Sequence, residues 1–319
     1  MPRLREFDIV IGNLPTGPRN AITDVPGIAV GQVTVREEPR LHTGVTAIVP
    51  DTLPIPAAVF AGNGYGKLIG VTQIQELGEI ETPILLTSTL SAFRAADALV
   101  SWVLGQPGNE HIRSLNPVVG ETNDGWLSDI RARVITEEHV FTALDNASTG
   151  PVAEGCVGAG TGTFALGFKG GIGTSSRVVH DEHLGAYTIG ALVQSNYGGI
   201  LTVQGRHIHP PATPSSDDGS CMIIVATDAP LDARQLGRIA KRAVFAMART
   251  GASYSHGSGD YAIAISTRPG VCRPDAELSP LFVATMDAVE EALLNSLFMA
   301  ETTHGIDGHV ALAVDASML

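Results

Sequence analysis

The chain has 319 residues, of which 44% are hydrophobic and 17% charged, apolar enough to bury a large core and inconsistent with disorder. Its formal net charge of −13 excludes the positive footprint that nucleic acid or an anionic membrane requires of a partner. Cys156, Cys221 and Cys272 are odd in number and widely spaced, which excludes a disulfide framework and fits a reducing compartment. No apolar run approaches a membrane span, and the opening MPRLREFDIVIG lacks the apolar region of a signal peptide, so a cytoplasmic protein is expected.

In chain order, Val45 to Pro50 reads as a strand and about Ser91 to Leu104 as a helix. Ala186 to Gln194 is a second strand-like run. His207 to Asp218, with three prolines, two serines and two aspartates, is the one linker-like segment. It leads to Gly219-Ser220 and then to the apolar run Cys221 to Thr227, a buried strand. Leu231 to Thr250 is the clearest helix. Leu236, Ile239, Ala240, Ala243, Val244 and Met247 recur at helical spacing opposite Arg238, Lys241 and Arg242, with Asp232 suited to its start and Gly251 to its end. Asp260 to Thr267 follows as a strand, and a helix is expected from Ser279-Pro280 to about Thr302. His309 to Val314 closes the series as a strand. Strands alternating with helices point to sheets covered by helices.

Several motifs lose their first attraction on inspection. Gly158-Ala159-Gly160-Thr161-Gly162-Thr163 and Lys169-Gly170-Gly171-Ile172-Gly173-Thr174 fit neither the Walker spacing nor a dinucleotide fingerprint, so they are read as close backbone packing. His207 with His209, and His304 with His309, lack metal-ligand spacing and are read as structural or solvent-facing. No G-x-S-x-G elbow is present. Neither a metal nor another cofactor is expected.

Four other places carry chemistry. Glu121 and Asn123 crowd into a turn after Pro117-Val118-Val119-Gly120, as an acidic anchor for a cationic group or simply as an exposed turn. Asn196 ends the run Ala186 to Gln194, where its amide can stabilise a developing oxyanion or shape a turn before Gly198-Gly199. Ser258 stands two residues before Asp260, able to pass a hydrogen bond to a nucleophile or simply part of a glycine-flanked turn. Gly219-Ser220 puts a hydroxyl where a turn-forming loop becomes a buried strand. Cleavage there would make Ser220 a new N-terminus. A serine needs a base, and a free α-amine titrates at roughly 7.7 to 8.0, whereas an internal amide is no base at all. The cut would thus create the base as it exposes the nucleophile. A second pair, Gly257-Ser258, leads into Gly259 instead of an apolar run and ranks below it.

Taken in order, these blocks resemble the DmpA family of self-processing aminopeptidases, which includes the L-aminopeptidase/D-esterase/amidases and the β-aminopeptidases. The resemblance runs from Ile22-Thr23-Asp24-Val25-Pro26-Gly27 through Gly62-Asn63-Gly64-Tyr65-Gly66, Pro117 to Thr122, the paired glycine motifs, Leu192 to Gly198 and Asp218-Gly219-Ser220, to Glu290 to Leu297 with Ala300-Glu301-Thr302. It implies one α+β domain over 1–319, a four-layer αββα sandwich like the N-terminal nucleophile hydrolases but connected differently. It also implies cleavage into 1–219 and 220–319 and assembly into a homo-oligomer. By the same resemblance Ser220 is the nucleophile, Asn196 stabilises the oxyanion, Ser258 and Asp260 support, and Glu121 holds the amino group of a small peptide, amide or ester. Asn123 departs from the pattern, since family members carry a tyrosine there. An amino-acid acyltransferase with the same nucleophile and an unprocessed binding protein are the alternatives.

Overall fold

The computed structural model describes residues 1–181, 185–211, 219–268, 270 and 274–318. Residues 212–218 of the linker-like segment, Asp218 among them, and Cys272 lie outside the described residues. Ten strands build two sheets. The first has strands β1 (Ile28–Glu37), β2 (Leu41–Pro50), β5 (Ile84–Ser88) and β6 (Val118–Thr122), in the order β1-β2-β5-β6. The second has β3 (Ile55–Gly64), β4 (Glu79–Ile80), β7 (Ile172–Asp181), β8 (Gly185–Asn196), β9 (Ser220–Thr227) and β10 (Gly259–Ser266), in the order β4-β3-β10-β9-β8-β7.

Helices α2 (Ala92–Leu104) and α3 (Glu137–Asp145) cover the outer face of the first sheet, after a short helix α1 (Val71–Leu77). Helices α4 (Ala233–Arg249) and α5 (Ser279–Phe298) cover the outer face of the second. The layers are therefore helix, sheet, sheet, helix: the αββα sandwich expected. Three apolar cores fill the three interlayer spaces.

Strand periodicity decides which way the site residues face. Along β9, Cys221, Ile223 and Val225 join the core under α4 and α5, while Met222, Ile224 and Ala226 join the core between the sheets. Successive side chains alternate faces, so Ser220, in phase with Met222, belongs to the inter-sheet side. Asn196 is likewise in phase with Leu192 of that core. Gln194, also in this phase, donates from Nε2 to the Thr87 carbonyl at 3.1 Å, Thr122 Oγ1 at 2.8 Å and the Ala159 carbonyl at 2.9 Å. This fully buried amide ties the second sheet to β5 and β6 of the first.

The helix α4 begins as its sequence predicts. Asp232 accepts from the Gln235 amide at 2.7 Å and Gln235 reaches back to the Asp232 amide, a reciprocal cap that satisfies two otherwise free donors. Helix α5 ends at Phe298 instead of Thr302, because the Glu301 amide turns away to donate to Cys156 Sγ at 3.2 Å. The predicted strand His309 to Val314 shrinks to Val310–Ala311, paired among the described residues with Thr303–His304.

Helix α5 carries charge inside the protein. Glu291 and Arg177 of β7 are both fully buried and meet at 2.6 Å. Arg5 reaches the same carboxylate at 2.7 and 3.0 Å, and Asn20 Nδ2 donates to it at 2.5 Å. Burial pushes the Glu291 carboxyl up, but the Arg5 hydrogen bonds, the Arg177 charge and the Asn20 amide outweigh it and hold it below its ordinary value. The network fastens the N-terminal segment and β7 to α5. Removing one partner strands a buried charge. Glu291→Ala should lower the free energy of unfolding by about 3–5 kcal/mol, read by denaturant titration; a loss under about 1 kcal/mol would mean the network is not a stabilising joint.

Candidate active site

Two backbone ladders place Ser220. It pairs with Asn196 of β8 on one edge and with Gly259 of β10 on the other. Gly259 donates its amide to the carbonyl oxygen of Gly219 at 3.1 Å. The bond between Gly219 and Ser220 thus sits at the head of a central strand, with its carbonyl already hydrogen-bonded. Glycine is required at 219 by close approach, because a Cβ there would lie 2.4 Å from the Asn196 carbonyl oxygen and 2.6 Å from Tyr197 Cα. Gly259 is equally confined: a Cβ would meet the Gly66 amide nitrogen at 2.3 Å. The absence of a side chain at 259 lets the loop after β3 lie directly against the start of β10.

That loop completes the site. Tyr65 donates its amide to the Ser258 carbonyl at 3.2 Å, and the Tyr261 hydroxyl donates to the Gly66 carbonyl at 3.0 Å. So held, the Lys67 amide donates to Glu121 Oε1 at 2.7 Å. The Thr89 hydroxyl donates to Glu121 Oε2. The Glu121 carboxylate is nearly inaccessible yet lines the cavity, and its orientation is set by both donors.

The cavity has a volume of about 650 Å³. It brings together Gly219, Ser220, Asn196, Glu121 and Asn123, which are more than 90 residues apart at the extremes of the sequence. The Phe164 amide donates to Asn196 Oδ1 at 2.9 Å. A backbone N–H can only donate, so the oxygen of the side-chain amide faces Phe164 and its NH2 end is the part left for the cavity. Asn123 is exposed, and its Oδ1 accepts from the Gly125 amide at 2.9 Å, a turn that commits the acceptor end of this side chain.

Ser258 and Asp260 are not among the cavity-lining residues. They flank Gly259, the register partner of Ser220, and Ser258 Oγ donates to Asp260 Oδ1 at 2.8 Å. Asn63 fixes the turn before them by donating to the Tyr254 and Ser255 carbonyls at 3.3 and 2.5 Å. Asp260 is fully buried. Burial pushes its carboxyl up to about 6, against the opposing pull of the Ser258 hydroxyl and the Cys221 backbone.

An aromatic wall formed by Trp126, Phe164 and His309 has no local signature in the sequence. Trp126 stacks on His309, with ring centroids 4.8 Å apart and planes at 12°, and lies 4.5 Å from the Phe164 ring. His309 Nδ1 donates to the Trp126 carbonyl at 2.7 Å. His309, read from its spacing as structural or solvent-facing, is thus part of the cavity wall. Trp126, two residues beyond the acidic turn, was the available signal. Nothing in the local sequence joins it to a histidine 183 positions away.

Comparison with known proteins follows the same lines. The pattern of peptidase family S58 matches residues 20–311. The beta-peptidyl aminopeptidase BapA of Sphingosinicella microcystinivorans is 36% identical, over 97% of this chain and 88% of that protein. Among solved structures, the PH0078 protein from Pyrococcus horikoshii OT3 superposes with a TM-score of 0.91 at 43% identity, covering 99% of this chain and 97% of that one. The L-aminopeptidase D-Ala-esterase/amidase from Ochrobactrum anthropi, a prototype for the serine aminopeptidases and a variant of the Ntn hydrolase fold, gives 0.92 at 35% identity, over 100% and 97% of the two chains. With its αββα layers, its strand-head serine and a family pattern spanning most of its length, the chain belongs to peptidase family S58.

Proposed function

We propose that the chain is a self-processing serine aminopeptidase or amidase, cut between Gly219 and Ser220 into 1–219 and 220–319. The observation that carries this is the position of that bond: it opens a central strand inside a cavity shared with Asn196 and Glu121. In processing, Ser220 Oγ attacks the Gly219 carbonyl carbon, and the C–N bond breaks to leave an ester and the Ser220 α-amine. Water then hydrolyses the ester, leaving Gly219 as a carboxylate. In turnover, Glu121 takes the substrate's ammonium and Ser220 Oγ attacks the adjacent carbonyl. The α-amine of Ser220 accepts the hydroxyl proton and passes it to the leaving amine. Asn196 donates from its NH2 end to the oxyanion, and water releases the acyl group. Ser258 and Asp260 hold the proton network at the head of β10. The acyltransferase and non-catalytic alternatives are not favoured, since the relatives named above are aminopeptidases.

We also read the protein as a cytoplasmic homo-oligomer acting on small peptides or amides. Leu90, Phe93 and Leu104 stand exposed around α2, which supports a second copy covering them. Cys156 and Cys221 are free thiols, which supports a reducing compartment. No helix among the described residues is long and apolar enough to cross a membrane. Light scattering should give a mass above one chain; a strict monomer at micromolar concentration would count against assembly.

Intact-mass spectrometry tests the cut. Dividing 33.2 kDa in the ratio 219 to 100 residues gives fragments of about 23 and about 10 kDa. Ser220→Ala should remain one chain. Gly219→Ala should slow cleavage by about 10²-fold, because relieving its contact with Asn196 moves the carbonyl from the nucleophile. An uncut wild-type chain would sink the reading.

The pH dependence of kcat is a separate test. Asp260, with its carboxyl raised to about 6, is charged only above that pH. The Ser220 α-amine, ordinarily near 7.7–8.0, must also lose its proton. Log kcat should therefore rise with a slope near two below about pH 6 and near one from there to about pH 8. Asp260→Asn should lower kcat and leave a slope of one throughout; a surviving two-proton limb would remove Asp260 from the reaction.

A further inference from the structure

The Lys169-Gly170-Gly171 motif has no place in the chemistry so far, and the structure gives it an unusual setting. Lys169 is fully buried. Its ammonium donates to the Gly160 carbonyl at 3.0 Å and to the Gly170 carbonyl at 2.8 Å. A lysine committed to internal carbonyls is not available to a phosphate, so the glycines around it are not a phosphate loop. Burial pushes its ammonium below its ordinary value, with Cys156 and Asp124 pulling the other way.

The two carbonyls bracket one tight hairpin: Gly160 belongs to the turn Gly158–Gly160 that leads into its first arm, and Gly170 directly follows its second. Phe164–Ala165 pairs antiparallel with Phe168–Lys169, and the residue directly opposite Lys169 is Phe164. The Gly170 amide donates to the Thr163 carbonyl at 3.1 Å, and Thr163 Oγ1 donates to the same Gly160 carbonyl at 3.1 Å. A two-residue pairing has little stability of its own. The ammonium supplies a brace by tying the turn before the hairpin to the residue after it. The product of this bracing is the position of the Phe164 amide, which holds Asn196 Oδ1.

We propose that Lys169 is a positioning residue: by clamping the Gly160 and Gly170 carbonyls it fixes the Phe164 amide, which in turn aims the NH2 end of Asn196 into the cavity. The inference rests on the reading of Asn196 as oxyanion donor. It touches neither substrate nor Ser220, and acts only through the hairpin. An oxyanion donor works on the transition state more than on the bound substrate, so its misplacement lowers kcat and leaves KM alone.

The test is a double-mutant cycle of Lys169→Met and Asn196→Ala on an aminoacyl p-nitroanilide, with kcat expressed per cleaved, folded chain. Cleaved chain is counted by intact mass and folding by thermal melting. Asn196→Ala should lower kcat by about 10²-fold or more. Lys169→Met should lower it by at least about tenfold with KM within twofold, and the double variant should be no slower than Asn196→Ala alone. A loss confined to folding would leave kcat per folded chain at the wild-type value, and that result overturns the proposal. So does a double variant whose loss is the product of the single losses, or an effect on KM in place of kcat. If Asn196→Ala itself leaves kcat within twofold, the oxyanion reading fails and takes this proposal with it. Should Lys169→Met not fold, Lys169→Gln takes its place in the same cycle under the same criteria.

Discussion

The nucleophile's side of the site follows from β9 being paired on both edges at its first residue. An isolated serine at a loop end would sample many positions, whereas Ser220 inherits the positional precision of a six-stranded sheet. The antiparallel edge brings Asn196 level with it, and the parallel edge brings Gly259, with Ser258 and Asp260 on either side. Strand phase then sends the serine and the asparagine to the inter-sheet side. The functional groups converge because backbone hydrogen bonds have a fixed register, not because their side chains attract one another.

The opposite wall depends on a different constraint. Glu121 is the penultimate residue of a strand of the first sheet, so its distance from Ser220 is set by how the sheets stack. Two devices fix that stacking near the cavity. Gln194 reaches across to Thr87, Thr122 and Ala159, and the contact of Gly66 with Gly259 lets the Lys67 amide cap the carboxylate. Buried polar bonds of this kind are directional in a way that the surrounding Ile and Leu contacts are not. The apolar core makes the sandwich stable, and the polar cross-links set where its two halves stop.

How much of this was legible in the sequence depends on how local each cause is. The strand at Cys221 to Thr227 was readable because both of its faces are buried, which leaves an unbroken apolar run. Helix α4 was readable because one of its faces is solvated and its cap lies within four residues. Strand β1 had no such signal: its second half leaves the core, so Thr34, Arg36 and Glu37 read as surface. Helix α5 ends short of the helical pattern in its sequence because its end is decided by a contact with Cys156, 145 residues away. In the site, Ser220, Asn196, Glu121, Ser258 and Asp260 stand out at turns and strand ends, where an ordinary turn would read much the same; their roles come from the resemblance, and the structure gives their geometry. The stack of Trp126 on His309 and the burial of Lys169 arise only when distant segments pack. A lysine in a glycine-rich stretch reads as solvated until two carbonyls are seen to enclose it.

The same pairing also bears on what a cut at residue 219 would disturb. On the Ser220 side the chain continues into eight residues bonded on both edges, anchored by Met222, Ile224 and Ala226 in the inter-sheet core. On the Gly219 side the amide of Gly259 holds the carbonyl, and the backbone of Asn196 and Tyr197 packs against the α-carbon. Breaking the bond would therefore leave the nucleophile in its place. Its new amine would appear beside a hydroxyl already in position, and the space left by Gly219 would border Asn196 and the cavity that reaches Glu121. A strand head is thus a favourable place for a self-made N-terminus: the ladder that presents the bond for attack also holds the residue that must act afterwards.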